Sequence, residues 1–172
     1  MARGDLRATL VYYPGARVKP EAYRWLGEAL APSGIQTVIV RFPLDLALLS
    51  PNRADDVLAR LPAGEELFLA GHSLGGAVAA QYAGSNPSRI KGLILMGAYP
   101  ANTVSLRDSK LRVLDLLAGR DGVATPQEVE AGLPRLPAST QLVRLPGAVH
   151  SYFGRYGPQR GDGTPAARPP RR

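Results

Sequence analysis

The chain has 172 residues, 45% of them hydrophobic, no cysteine and a net charge of +7. That length supports one domain around one core. Lack of cysteine excludes disulfides, thiolate metal sites and a cysteine nucleophile, and no apolar run reaches the ~18 residues of a transmembrane helix.

The positive charge is unevenly spread. Gly154–Arg172 holds five arginines against one acid, Asp162, a balance of +4 out of the +7. No nucleic-acid-binding signature accompanies this excess, so neither a nucleic-acid nor a membrane partner is expected. Met1–Arg7 leads into the first strand without the apolar region of a signal peptide, and a cytoplasmic location is expected. A domain over residues 1–157 is expected, followed by a Pro/Gly/Arg-rich basic tail over 158–172 that composition reads as poorly ordered.

In chain order, Ala8–Tyr13 reads as a strand ended by Pro14-Gly15. Pro20–Ala31 reads as an amphipathic helix with Tyr23, Leu26 and Leu30 on one face, stopped by Pro32-Ser33-Gly34. Ile35–Arg41 is a β-branched strand, Leu44–Leu49 one or two helical turns, and Asn52–Leu61 a helix. The apolar run Glu66–Ala70 is a strand leading into Gly71-His72-Ser73-Leu74-Gly75-Gly76 and a small-residue helix to Ser85. Ile90–Gly97 and Leu111–Leu117 are strands. Thr125-Pro126 caps and opens a short helix, and Gln141–Leu145 is the last strand. Continuous apolar strands alternating with helices predict an α/β fold: a mostly parallel sheet of about six strands with helices on both faces.

A serine pinched between glycines at a strand-to-helix turn has the form of a nucleophile elbow, with its hydroxyl held clear of the sheet. The same residues also suit a tight turn whose serine merely caps the helix. A hydroxyl nucleophile needs a base, and the base needs an orienting group. Of the two histidines, His72 is adjacent to Ser73 and reads as packing behind the turn. His150 follows the last strand, at the carboxyl edge where parallel sheets bind ligands. Among the intervening acids Asp108 precedes its strand, Asp115 lies within it, and Glu128 and Glu130 belong to the next helix. Asp121 falls just past the strand end. The predicted triad is therefore Ser73, Asp121 and His150. The oxyanion hole is expected to use the N–H of Leu74 and, from the loop after the first strand, that of Ala16, because Pro14 has no N–H to offer. No cofactor and no metal is expected.

These residues carry a resemblance to the α/β-hydrolases, specifically the small lidless bacterial group called α/β-hydrolase fold family 5. It runs from about Leu10 to Thr164. Its carriers are Tyr13-Pro14-Gly15, Pro20-Glu21-Ala22-Tyr23, Pro51-Asn52-Arg53-Ala54, Gly71–Gly76, Gly119-Arg120-Asp121-Gly122 and Tyr156-Gly157-Pro158-Gln159. The resemblance implies a serine hydrolase mechanism at the three triad residues, without naming a substrate. Two departures stand out: the opening antiparallel strands of many relatives are missing, and Thr164–Arg172 is too proline-rich for the packed helix the family pattern implies after Gly161-Asp162-Gly163. The second departure implies that part of one sheet face is either bare or covered by a second copy, a homodimer being the alternative to an uncovered face.

The connection before Leu111 is too short for a cap, which predicts an open cleft and small or exposed ester substrates. Tyr12 or Tyr13, Tyr99, Tyr152 and Phe153 stand at its core or rim. Thioesterase, amidase or acyltransferase chemistry would use the same triad, and a non-catalytic binding protein on this scaffold is the reading from another class.

Overall fold

The computed structural model describes residues 6–62 and 64–166. Six strands, β1 (Ala8–Tyr13), β2 (Ile35–Ile39), β3 (Leu67–His72), β4 (Gly92–Met96), β5 (Arg112–Ala118) and β6 (Gln141–Leu145), form one sheet in the order β2-β1-β3-β4-β5-β6. Every neighbouring pair is parallel. This is the α/β architecture that the apolar runs predict. The carboxyl ends of all six strands share one edge, with β3 next to the point where the strand order reverses.

Alternation along each strand sorts the core into two layers. Val11, Tyr13, Leu67, Leu69, Leu93, Leu95 and Val113 pack against the second helix, α2 (Ala54–Leu58), and the third, α3 (Leu74–Ser85). Leu10, Tyr12, Ala70, Met96 and Ala118 face the other way, under Leu26 of α1 (Arg24–Leu30) and under Tyr23 and Phe153. Tyr12 and Tyr13 are wholly buried and so belong to the core rather than to a cleft. On the second face α1 lies over β2, whereas Phe68, Ile94, Leu114 and Leu116 are only half-buried, and the Arg112 guanidinium sits 5.2 Å above the Phe68 ring. Leu117, Ala124 and Val129 make a small third cluster beneath α4 (Pro126–Gly132), whose N-terminus is closed by a capping box between Thr125 and Glu128.

Three segments differ from the periodicity reading. The expected helix 20–31 is a 3₁₀ turn (Pro20–Tyr23), then α1, then a second 3₁₀ turn (Ala31–Ser33). The break falls at Tyr23, whose ring is drawn inward. Residues 43–49 form two 3₁₀ turns separated by an extended Leu46, and α2 occupies only the middle of the expected 52–61 helix. No helix of the described residues is long and apolar enough to cross a membrane.

Candidate active site

The elbow is set by glycine packing. A Cβ on Gly75 would run into the carbonyls of Tyr13 and Pro14, so the first turn of α3 lies directly on the loop that follows β1. Ser73, at φ 54° and ψ −128°, holds a backbone conformation that L-residues avoid. It is half-buried, and its N–H is tied to the Met96 carbonyl at the end of β4 (3.1 Å).

Two strands further along the sheet, Asp121 follows β5 and His150 opens a 3₁₀ turn (His150–Phe153) after β6. Asp121 Oδ2 and His150 Nδ1 lie 2.7 Å apart, both side chains wholly shielded from solvent. Asp121 Oδ1 accepts the N–H groups of Val123 and Ala124, each at 2.8 Å, which fixes the carboxylate plane. His150 Nε2 is buried and makes no hydrogen bond, so the Ser73 hydroxyl and His150 are not hydrogen-bonded in this arrangement. The pair reaches the elbow through Gly97, which has φ +51° and continues from Met96. A Cβ there would lie 3.0 Å from Asp121 Oδ2 and 3.2 Å from His150 Nδ1, so a side chain just past β4 would be strained and would crowd the pair.

The loop after β1 has nearly exhausted its N–H groups. Gly15 donates to the Tyr23 hydroxyl (3.1 Å), Arg17 to the Asp45 carbonyl (2.9 Å) and Val18 to the Gly15 carbonyl (3.1 Å). Pro14 has none. Among the described residues the Ala16 N–H has no acceptor, and neither has that of Leu74 in the uncapped first turn of α3. Both residues that the sequence reading names for the oxyanion hole thus carry an N–H without an acceptor.

Two features escape sequence reasoning. The first is a chain of contacts behind the elbow. The Tyr23 hydroxyl, which accepts from Gly15, lies 2.8 Å from His72 Nδ1, and the His72 ring sits 4.4 Å from that of His150. Burial, and next the neighbouring His150 charge, push His72 well below the ordinary imidazole range, with the His150 main chain and the Asp162 charge opposing them. His72 is therefore a neutral, structural ring, and burial likewise keeps the Tyr23 phenol protonated.

The second is Asp162. Its carboxylate accepts from the N–H groups of His150 (3.0 Å), Ser151 (2.9 Å), Gly163 (2.8 Å) and Gly122 (3.3 Å). Burial alone would raise its pKa, but the N–H groups of Ser151, His150 and Gly163 and the Ser151 hydroxyl hold it below the usual carboxylate range. Arg120 donates to the Thr164 carbonyl (3.3 Å) and Ala166 N–H to that of Gly147 (3.1 Å). Residues 158–166 of the expected tail thus lie against the Asp121 and His150 loops; residues 167–172 are outside the described residues. An aspartate between two glycines, the one acid in a basic stretch, is the signal that marks this position in the sequence.

Residues 97–111, between β4 and β5, contain no helix or strand and are pinned by Arg135, whose guanidinium donates to the Pro100 carbonyl (2.9 and 3.2 Å). A cavity of about 790 Å³ lined by Val149, Tyr152, Arg155, Tyr156 and Pro165 does not include Ser73. Among the described residues no group of three or more His, Cys, Asp and Glu side chains could hold a metal ion.

A profile described as the alpha/beta hydrolase family matches residues 9–171. No curated protein matches the chain. Among solved structures it is similar to the monoacylglycerol lipase of Paleococcus ferrophilus (TM-score 0.73, 17% identity, 86% of this chain and 87% of that one). It is also similar to the RedJ thioesterase of the prodiginine pathway in Streptomyces coelicolor (0.66, 21%, 89% and 86%), and to Est1E of Butyrivibrio proteoclasticus with bound ferulic acid (0.71, 15%, 86% and 83%). At these identities the likeness is one of fold.

Proposed function

Because the chain belongs to the alpha/beta hydrolase family, we propose that it is a serine hydrolase cleaving small or exposed carboxylic esters through an acyl-enzyme on Ser73. The observation that carries this reading is the buried Asp121–His150 pair, with Nδ1 engaged at 2.7 Å and Nε2 left without a partner. Asp121 fixes the tautomer in which Nε2 is the proton acceptor. In the proposed reaction the Ser73 hydroxyl turns to donate its proton to that nitrogen. Ser73 Oγ then attacks the ester carbonyl as its proton passes to His150. The N–H groups of Leu74 and Ala16 hold the resulting oxyanion, a contribution of typically ~3 kcal/mol per donor.

Collapse of the tetrahedral intermediate expels the alcohol, which takes its proton from His150. A water molecule then gives a proton to His150 and attacks the acyl-serine carbonyl; collapse of this second intermediate releases the acid as His150 returns the proton to Ser73 Oγ. Thioesters fit the same steps, with a thiol as the leaving group. A cysteine-free chain suits the proposed cytoplasmic setting.

Labelling with a fluorophosphonate tests the assignment. Wild type is expected to label and to hydrolyse p-nitrophenyl acetate, and Ser73→Ala to do neither. Equal labelling of the two proteins, or none of wild type, would instead favour a binding protein on a hydrolase scaffold.

A further inference from the structure

Four non-glycine residues among those described have positive φ: Arg17 (59°), Leu44 (52°), Asp45 (55°) and Ser73 (54°). One is the elbow serine. The other three lie in two loops joined to each other, since the Arg17 N–H donates to the Asp45 carbonyl (2.9 Å) and Lys19 pairs with the Asp45 carboxylate (2.6 Å). These loops follow β1 and β2, at the same sheet edge as Ser73. A left-handed backbone costs an L-residue about 1–2 kcal/mol, and such strain persists mainly where a site uses it.

Here the strain turns an apolar side chain outward. Leu44 is 80% exposed, Leu48 58% and Leu49 53%, half of the large hydrophobic residues that the described chain exposes. Between them Ala47 is buried in the core shared with α3, so the turn of residues 47–49 is anchored on the helix that Ser73 begins. Leu48 and Leu49 therefore stand on a fixed support, and Leu44 on the turn just before it, at the sheet edge that carries Ser73.

Strand order decides which part of a substrate they meet. Asp121 and His150 follow β5 and β6, on one side of β3; the leucine-bearing loop follows β2, on the other. The leaving group must face His150, which returns its proton, so the acyl group extends over β1 and β2. We infer that Leu44, Leu48 and Leu49 form an open ledge for an aliphatic acyl chain, so that medium-chain acyl esters are better substrates than acetyl esters. This rests on the serine hydrolase reading above.

The test is the double variant Leu44→Ser/Leu48→Ser, whose exposed positions leave the core intact. Its kcat/KM for p-nitrophenyl acetate is expected to match wild type. That for p-nitrophenyl octanoate should fall roughly tenfold, toward the low end for hydrophobic discrimination because the ledge is open. An unchanged octanoate-to-acetate ratio overturns the inference. Calorimetric titration of octanoate into Ser73→Ala, with and without the leucine changes, separates this from failure of the hydrolase reading. Even if wild type cleaves no ester, octanoate should bind and lose affinity when the leucines are replaced; equal binding overturns the ledge. An unchanged ratio with lost binding to phosphatidylcholine vesicles would also overturn it, and would make the leucines a lipid contact.

Discussion

Asp115 offers the sharpest test of the energetics. It lies in the middle of β5, in register with Leu95 and Leu142, wholly buried, with neither carboxylate oxygen hydrogen-bonded. Burial raises its pKa from the ordinary 3.8 to about 7, and no charged group contributes. Between these two values the unfolded chain releases a proton that the folded chain retains, so stability falls as pH rises from 3.8 to about 7 and is level above. At about 1.4 kcal/mol per pH unit the full loss is about 4 kcal/mol. Asp115→Asn removes the titration while nearly keeping the shape. Its stability relative to wild type is expected to improve by about 3 kcal/mol between pH 5 and pH 8. Urea unfolding followed by the fluorescence of the single tryptophan, Trp25, measures this at both pH values. An advantage of the same size at pH 5 and pH 8 would refute the argument that Asp115 folds protonated.

Tyr23→Phe deprives the Gly15 N–H and His72 Nδ1 of their shared partner. It should lower stability by about 1–3 kcal/mol and reduce kcat for p-nitrophenyl acetate with little change in KM; an unaltered kcat would show that the Ala16 loop is held by its other bonds. Asp162→Ala is expected to unlatch the His150 turn, lowering both stability and kcat at pH 7. Because the native carboxyl titrates below its ordinary range, the stability it provides is full above that range and fades as pH falls through the lowered value. Thermal unfolding of variant and wild type should therefore converge in acid, and a deficit independent of pH would contradict the role given to the carboxylate.

Much of the fold was legible because its signals are local. Apolar runs such as Ile90–Gly97 and the Gly71–Gly76 turn carry their own evidence, and the strand ends before Asp121 and His150 place both at one edge. What stayed hidden depends on partners distant in the chain. Tyr23 breaks its helix because its hydroxyl serves Gly15 and His72, a demand that no helical period encodes. Leu44 and Asp45 adopt positive φ without the glycine or asparagine that announces such a turn. Asp162 sits in a stretch whose proline and arginine content speaks of solvent, while its carboxylate gathers N–H groups from residues 122, 150 and 151. Composition averages over a segment, and one well-placed side chain escapes the average.

The Asp162 clasp makes shape and competence separable along the polypeptide. The sheet is complete once β6 ends at Leu145, but the turn bearing the imidazole is secured only when residue 162 arrives. A nascent chain emerging from the ribosome can thus pair all six strands before the His150 turn is clasped. A stop codon placed after Phe153 and before Asp162 would leave the six strands and their Phe153 cover in place while the His150 turn goes unclasped.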